Sequence, residues 1–191
     1  MNENKIYFCE DLKESKIRYA GYIREHIKAV KDAYTTAEEA FKEVFPEVYS
    51  NDIDRSNLLN NINDHDRSKY NDNEFYGYAM KFYPVINTDP ESESVNQNFQ
   101  MSWLRHVHNN PHHPAYWLLP KSGGVVILDM PDIYIIEMLC DWMAMGKYYG
   151  GTTLSYWKSK FAKELPMSIR TISKVDKFMQ WMQDHNVHTL W

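Results

Sequence analysis

Apolar positions recur along the first part of the chain with helical spacing. Tyr19, Tyr22/Ile23, His26, Val30 and Ala33 lie three or four residues apart with charges between them, which predicts one long helix over residues 10–45. His26 falls on or beside its buried stripe, and Pro46 closes the segment. A second helix is predicted from about Ser56 to Tyr70, with Leu58/Leu59, Ile62, His65/Asp66 and Lys69 on one side. Its inward face turns from apolar to ionisable partway along. Asn71, Asp72 and Asn73 supply capping side chains for a third helix carrying Phe75, Tyr78/Ala79 and Phe82, which Pro84 ends.

Residues 84–98 (PVINTDPESESVNQN) are polar and without periodicity, the pattern of a mobile surface loop or lid. Phe99, Trp103 and His106 then share a helical face until Asn109, Asn110 and Pro111 stop it, leaving His112 and His113 on a turn before Pro114. The stretch YWLLPKSGGVVILDMP predicts a β-hairpin, with Ser122, Gly123 and Gly124 at the turn and Val125 to Leu128 as the return strand. Asp129 is the expected cap, and Pro131 a first-turn residue, of the helix IYIIEMLCDWMAM. That helix is apolar nearly all round and so belongs at the centre of the molecule. Two amphipathic helices follow, Leu154–Glu164 marked by Trp157/Phe161 and Ser168–Asp184 marked by Ile172, Val175, Met179 and Met182. There is no internal repeat. The expected fold is an all-α helical bundle with one small β-hairpin.

Composition sharpens this picture. With 191 residues, 43% of them apolar and 15% aromatic, the chain suits a single domain with its core over about residues 15–160 and the helices of 154–185 packed on it. The two cysteines, Cys9 and Cys140, make no disulfide framework, and the start MNENKIYFCEDLKESK is too charged for a signal peptide, so a cytoplasmic protein is expected. No apolar run approaches the roughly 20 residues of a membrane helix. A net charge of −5 lacks the basic footprint of a duplex-binding protein. A phosphate-bearing ligand would need a local attractor, and a bound divalent ion is one.

Glu137 and Asp141 stand one turn apart inside the apolar helix. An ionised carboxylate there is costly unless it is paired or coordinates a metal. Histidines are spread to match: His26 on the first helix, His65 beside Asp66 on the second, His106 on a later one, and His112/His113 on the turn after it. Taken singly, each has a plain alternative: His26 a satisfied core histidine, His112-His113 a capped turn, Asp141 half of a buried salt bridge. Together they form a set of imidazole and carboxylate ligands suited to one or two divalent transition ions, Mn, Fe, Zn, Ni or Co.

The order His26 … His65-Asp66 … Asp141 resembles the HD-domain superfamily of helical metal-dependent phosphohydrolases. HDRSK is similar to the His-Asp-x-x-Lys form of HD phosphodiesterases that cleave cyclic dinucleotides. The resemblance implies that His26, His65, Asp66 and Asp141 hold a first metal, that His106 and His112/His113 correspond to the extra histidines of two-metal members, and that Lys69 faces phosphate. Over roughly residues 20–160, through HDRSK, WLRHVHNNPHHPAYW and MPDIYIIEMLCDWMAM, the chain is also similar to a family of bacterial and phage proteins without an established activity. The gap from His106 to His112 is much shorter than in the cyclic-dinucleotide enzymes, and their Gly-Tyr-Pro signature is absent.

The expected activity is hydrolysis of a phosphomonoester or phosphodiester of a small, nucleotide-like substrate, with no membrane or duplex nucleic acid as partner and with self-association left open. A divalent ion lowers the pKa of water and neutralises phosphoryl oxygens. Lys69 stabilises developing charge, Asp66 holds metal, and Glu137 orients a ligand, accepts a proton or forms a buried salt bridge. Arg67 and Arg105 are candidate phosphate contacts or plain surface charges. Trp103, Tyr116, Trp117 and Trp142 either stack on a base or pack in the core. Two other classes fit the same residues: a dinuclear iron oxygenase, and a module that binds a nucleotide without turnover.

Overall fold

The computed structural model describes residues 6–149, 151–159, 163–185 and 187, with only the backbone described at 147–149. Helix α1 (Leu12–Val44) matches the predicted stripe. Asp11 caps it by accepting from the Glu14 amide at 2.8 Å, and Tyr19, Ile23, His26, Val30, Ala33, Ala37 and Phe41 form its buried face. It ends where Pro46, the first residue of α2 (Pro46–Ser50), denies the helix a donor and forces Phe45 out of helical backbone.

Helix α3 (Asp52–Asn63) begins before Ser56 because Asn51 caps it, accepting from the amides of Ile53 and Asp54. The continuous helix expected through Tyr70 is corrected. Asp64 terminates α3, Asp66 takes a left-handed conformation (φ 56°, ψ 17°), and a 3-10 turn runs from Arg67 to Tyr70. Asp is one of the few non-glycine residues that enters this region at modest cost.

In α4 (Asp72–Phe82) the expected side-chain cap is also corrected: the Asn71 backbone carbonyl, not its side chain, accepts from the amides of Glu74 and Phe75. The stretch 84–98 is not a lid. Its second half opens α5 (Glu93–Asn109), and its first half is tied down. Cys9 and Pro84/Ile86 exchange backbone hydrogen bonds at 2.8 Å, and the Lys81 ammonium donates to Pro90, Glu91 and Asn96 at 2.7–3.1 Å. Strands β1 (Leu118–Lys121) and β2 (Gly124–Ile127) form the predicted hairpin, Leu118 opposite Ile127, and Gly124 adopts a φ of 137° that suits glycine alone.

Helix α6 (Asp132–Tyr149) starts one residue after Pro131, whose carbonyl accepts from the Tyr134 and Ile135 amides. Asp129 therefore lies outside its first turn and is not the cap. Helix α7 (Thr153–Lys158) opens with a capping box between Thr152 and Ser155. Residues 160–162 of the longer helix expected there, Phe161 included, lie outside the described residues. Helix α8 (Ile169–Asp184) lies where the sequence predicts it and is capped by Ser168, whose side chain accepts from the Thr171 amide.

The protein is thus all-α with one small β-hairpin. Helix α6 is buried on every side through Ile135, Ile136, Met138, Leu139, Cys140 and Met143, in a large core shared with the C-terminal half of α1, with α3 and with α8. A second, smaller cluster joins Cys9, Tyr19 and Ile23 to Phe75, Tyr78 and Tyr83. His26 sits on α1 between Ile23 of the small cluster and Ala29 of the large one, so the seam between the two cores is where polar groups gather. Helices α4 and α5 meet closely: a Cβ at Gly77 would come within 2.5 Å of the Asn98 carbonyl oxygen. Among the described residues, no helix is long and apolar enough to cross a membrane.

Candidate metal centre

In a continuing α-helix, the side chains of consecutive residues point about 100° apart. The left-handed turn at Asp66 removes that divergence, and both His65 and Asp66 face the same buried point, each at most 2% exposed. Around the Asp66 carboxylate the fold assembles side chains from four separate places: His26 from α1, Asp141 from α6, His106 from α5 and His112 from the turn after α5.

The two Asp66 oxygens face different groups. Oδ2 lies 3.4 Å from His26 Nε2 and 3.6 Å from His65 Nε2, while Asp141 Oδ1 lies 3.0 and 3.7 Å from those same two nitrogens. Oδ1 lies 3.2 Å from His106 Nε2 and 3.5 Å from His112 Nε2. Ligands held about 2.1 Å from one ion stand ~3.0–4.2 Å apart across its coordination sphere. All six separations fall in that window, and most are too long for good hydrogen bonds. Correspondingly, His65 Nε2, His112 Nε2 and Asp66 Oδ1 are buried with no hydrogen-bond partner. Such orphaned atoms are rare in a native core. The donor set therefore fits a metal ion: the buried His and Asp residues form sets of donor atoms, all mutually within 4.8 Å, that can hold one.

The far nitrogens of these rings are anchored. Glu137 Oε1 accepts from both His65 Nδ1 and His112 Nδ1, each at 2.9 Å, and Glu74 Oε2 lies 3.1 Å from His106 Nδ1. An ionised carboxylate can only accept, so a ring that meets it through Nδ1 donates there and turns Nε2 toward the centre. Against the upward pull of burial, hydrogen bonds from His112 and His65 bring the Glu137 carboxyl down to about 2. Burial also works against ionisation of Asp66 and Asp141, but His65, Lys69 and His106 hold Asp66, and His26 and His65 hold Asp141, well below the usual carboxylate range. Burial alone would lower the His65 pKa, and the carboxylates of Asp66, Asp141 and Glu137 reverse it, raising it to about 10. Without an ion the centre is thus neutralised by protons, which an incoming metal must displace.

Lys69 donates from Nζ to Asp66 Oδ2 at 2.7 Å, and its ammonium lies 5.4 Å from the Tyr78 ring centroid. His113 differs from His112. Its Nε2 lies 2.9 Å from His106 Nε2, a hydrogen bond, and burial followed by repulsion from His112 and His106 holds its pKa well below 6.5. His112, anchored at Nδ1 and orphaned at Nε2, is the better-fixed ligand of the pair. His113 remains close enough to serve the same ion as His106 and His112.

A cavity of about 880 Å³ opens beside the cluster, lined by His26, Lys69, His106, His112, His113 and Asp141 and by Trp103 and Trp142. Arg67, Arg105, Tyr116 and Trp117 are not among its lining residues. Arg67 is exposed and pairs with Asp64 at 3.0 Å, Arg105 donates to the Asn73 carbonyl at 2.8 Å, and Tyr116 packs on Trp117. The structure thus brings the predicted metal-ligating residues together with Lys69, Glu137 and Trp103, and leaves both arginines and Tyr116 outside.

Sequence reasoning missed Glu74. It is 1% exposed and also accepts from Ser68 Oγ at 2.8 Å and Asn109 Nδ2 at 2.9 Å, while Asn110 Nδ2 donates to Ser68 Oγ at 2.7 Å. A signal was present, since Glu74 stands four residues before Tyr78 and hence on the buried stripe of α4.

Substituting Glu137 by Gln tests the anchoring. An amide cannot accept from both rings with the strength of a carboxylate, so metal affinity should fall about 10–100-fold. Calorimetric titration with Zn or Mn measures it, and unchanged affinity would make Glu137 a bystander.

Fold and site together define a helical protein with a buried histidine–carboxylate cluster able to hold metal. The chain belongs to a family of unknown function, DUF5662, which matches residues 15–186. No curated protein and no solved structure matches it.

Proposed function

We propose that the protein is a metal-dependent phosphohydrolase of the HD type, acting on a nucleotide-like or related phosphate ester with one or two divalent transition ions (Mn, Fe, Zn, Ni or Co). The observation that carries this reading is Asp66, each of whose oxygens faces its own set of histidine nitrogens. His26, His65, Asp66 and Asp141 would hold a first ion, and His106 and His112, with His113, a second that shares Asp66. The order of these residues and the His-Asp-x-x-Lys pattern at 65–69 support the same reading. When bound, such ions supply a lowered pKa for water and neutralise phosphoryl oxygens.

The chain's own residues do the rest. Lys69, on the cavity wall, is within reach of a phosphoryl oxygen once an ion satisfies Asp66. Glu137 and Glu74 keep the rings aimed, and both stay anionic. The reaction forms a bond between water oxygen and phosphorus and breaks the ester P–O bond, and the leaving oxygen takes the proton.

The test is a phosphate-ester screen of protein loaded with each ion, run beside Lys69→Ala. Turnover should fall about a hundredfold in that variant, as for loss of one charge-stabilising donor, with metal content unchanged. No hydrolysis with any ion would overturn the proposal, and equal activity in Lys69→Ala would return that residue to a structural role.

A further inference from the structure

The cavity is larger and more apolar than a phosphoryl group needs. Its volume of about 880 Å³ lies toward the upper end of small-molecule sites, ~300–1,000 Å³. Besides the histidines its wall includes Trp103, Trp142, Met145, Tyr156, Leu165 and Pro166. Two hydroxyls there are engaged with the backbone. Thr152 Oγ1 accepts from the Ser155 amide at 3.0 Å, while Ser155 Oγ accepts from the Thr152 amide at 2.9 Å and donates to the Thr152 carbonyl at 2.8 Å. Among the described lining residues Lys69 is the one lysine or arginine, and its ammonium is already paired with Asp66.

These features bear on what can fill the chamber. Phosphates beyond the one at the metal-ligating end would bring charge into an apolar space where no further lysine or arginine among the described lining residues meets it, which is strongly disfavoured. Polar hydroxyls or base edges would exchange water for walls that return few hydrogen bonds. We infer that the substrate is an ester carrying one phosphate whose alcohol portion is apolar or aromatic and fills the chamber. This rests on the phosphohydrolase reading above and narrows it. Hydrolysis forms the water oxygen–phosphorus bond, breaks the ester P–O bond and gives inorganic phosphate and a hydrophobic alcohol.

Two readouts test it on the Mn-loaded protein. Calorimetry compares 1-naphthylmethylphosphonate with methylphosphonate, neither of which is hydrolysed. Burial of the two-ring surface should make the first bind at least about thirtyfold tighter. Trp103, 46% exposed and so removable without unfolding, should account for part of that ratio, which Trp103→Ala lowers. Turnover then compares 1-naphthyl phosphate with AMP, ATP and glycerol phosphate, and kcat/KM should be highest for the naphthyl ester. Equal binding of the two phosphonates, or a preference for any polar ester, overturns this inference and leaves the phosphohydrolase reading standing. Preferential naphthyl binding with no hydrolysis of any ester does the opposite, keeping the ligand class and removing the activity.

Discussion

Asp66→Ala is expected to strip the protein of metal at both subsites at once, from one to two equivalents to below about a tenth. Its two oxygens pair with the Nε2 atoms of both histidine sets: Oδ2 faces His26 and His65, and Oδ1 faces His106 and His112. Asp141→Ala should act more locally, since its carboxylate lies nearest the first pair, 3.0 Å from His26 Nε2 and 3.7 Å from His65 Nε2. Elemental analysis of the purified variants distinguishes the two patterns. Removing Asp66 also leaves the Lys69 ammonium buried without its 2.7 Å partner, a loss of about 3–5 kcal/mol. The double variant Asp66→Ala/Lys69→Met removes that penalty. It should regain stability by thermal unfolding while still binding no metal. A folded Asp66 variant with full metal occupancy would sink the shared-carboxylate assignment.

Metal itself should be the largest stabiliser of the fold. An ion at a thousandfold excess over its Kd adds about 4 kcal/mol, which for a chain of this size raises Tm by about 8–16 °C. The effect follows from the orphaned nitrogens and the packed anions, which in the ion's absence are offset chiefly by protons on the histidines and by Lys69. Its pH dependence has a definite sign. In the metal-free protein the His65 pKa is raised from 6.5 to about 10, so its contribution to stability is complete below 6.5 and lost as pH rises through about 10. The bound ion replaces that proton. Both metal affinity and the metal-induced gain in Tm should therefore increase across this window. Scanning unfolding with and without chelator at pH 6.5, 8 and 9.5 measures it, and a gain that shrinks with rising pH would contradict the account.

His26, His65, Asp66 and Asp141 meet in one cluster, although the helix predicted to carry two of them ends before both. Periodicity projected α3 through His65 and Asp66 because Leu58 and Ile62 share their stripe. Nothing in local pattern marked the left-handed turn at Asp66 that lets consecutive side chains converge. From the sequence, Arg67 and Arg105 are either phosphate contacts or plain surface charges, whereas Lys69 is expected to face phosphate. Only the rotation of the 3-10 turn and of α5 sends the arginines to solvent and to Asn73, and the lysine inward.

By itself, the sequence determined the all-α architecture, the hairpin, the placement of α6 at the centre and the residue types that can bind metal. Each of these follows from short-range periodicity and from the cost of burying charge, both written in neighbouring residues. Tertiary structure alone decided that His106 and His112 share Asp66 with His26 and His65, that Glu137 and Glu74 hold the rings, and that the adjoining chamber is apolar. Those outcomes depend on how α1, α4, α5 and α6 approach one another across long chain separations, where a contact as close as that of α4 and α5 at Gly77 sets which side chains meet.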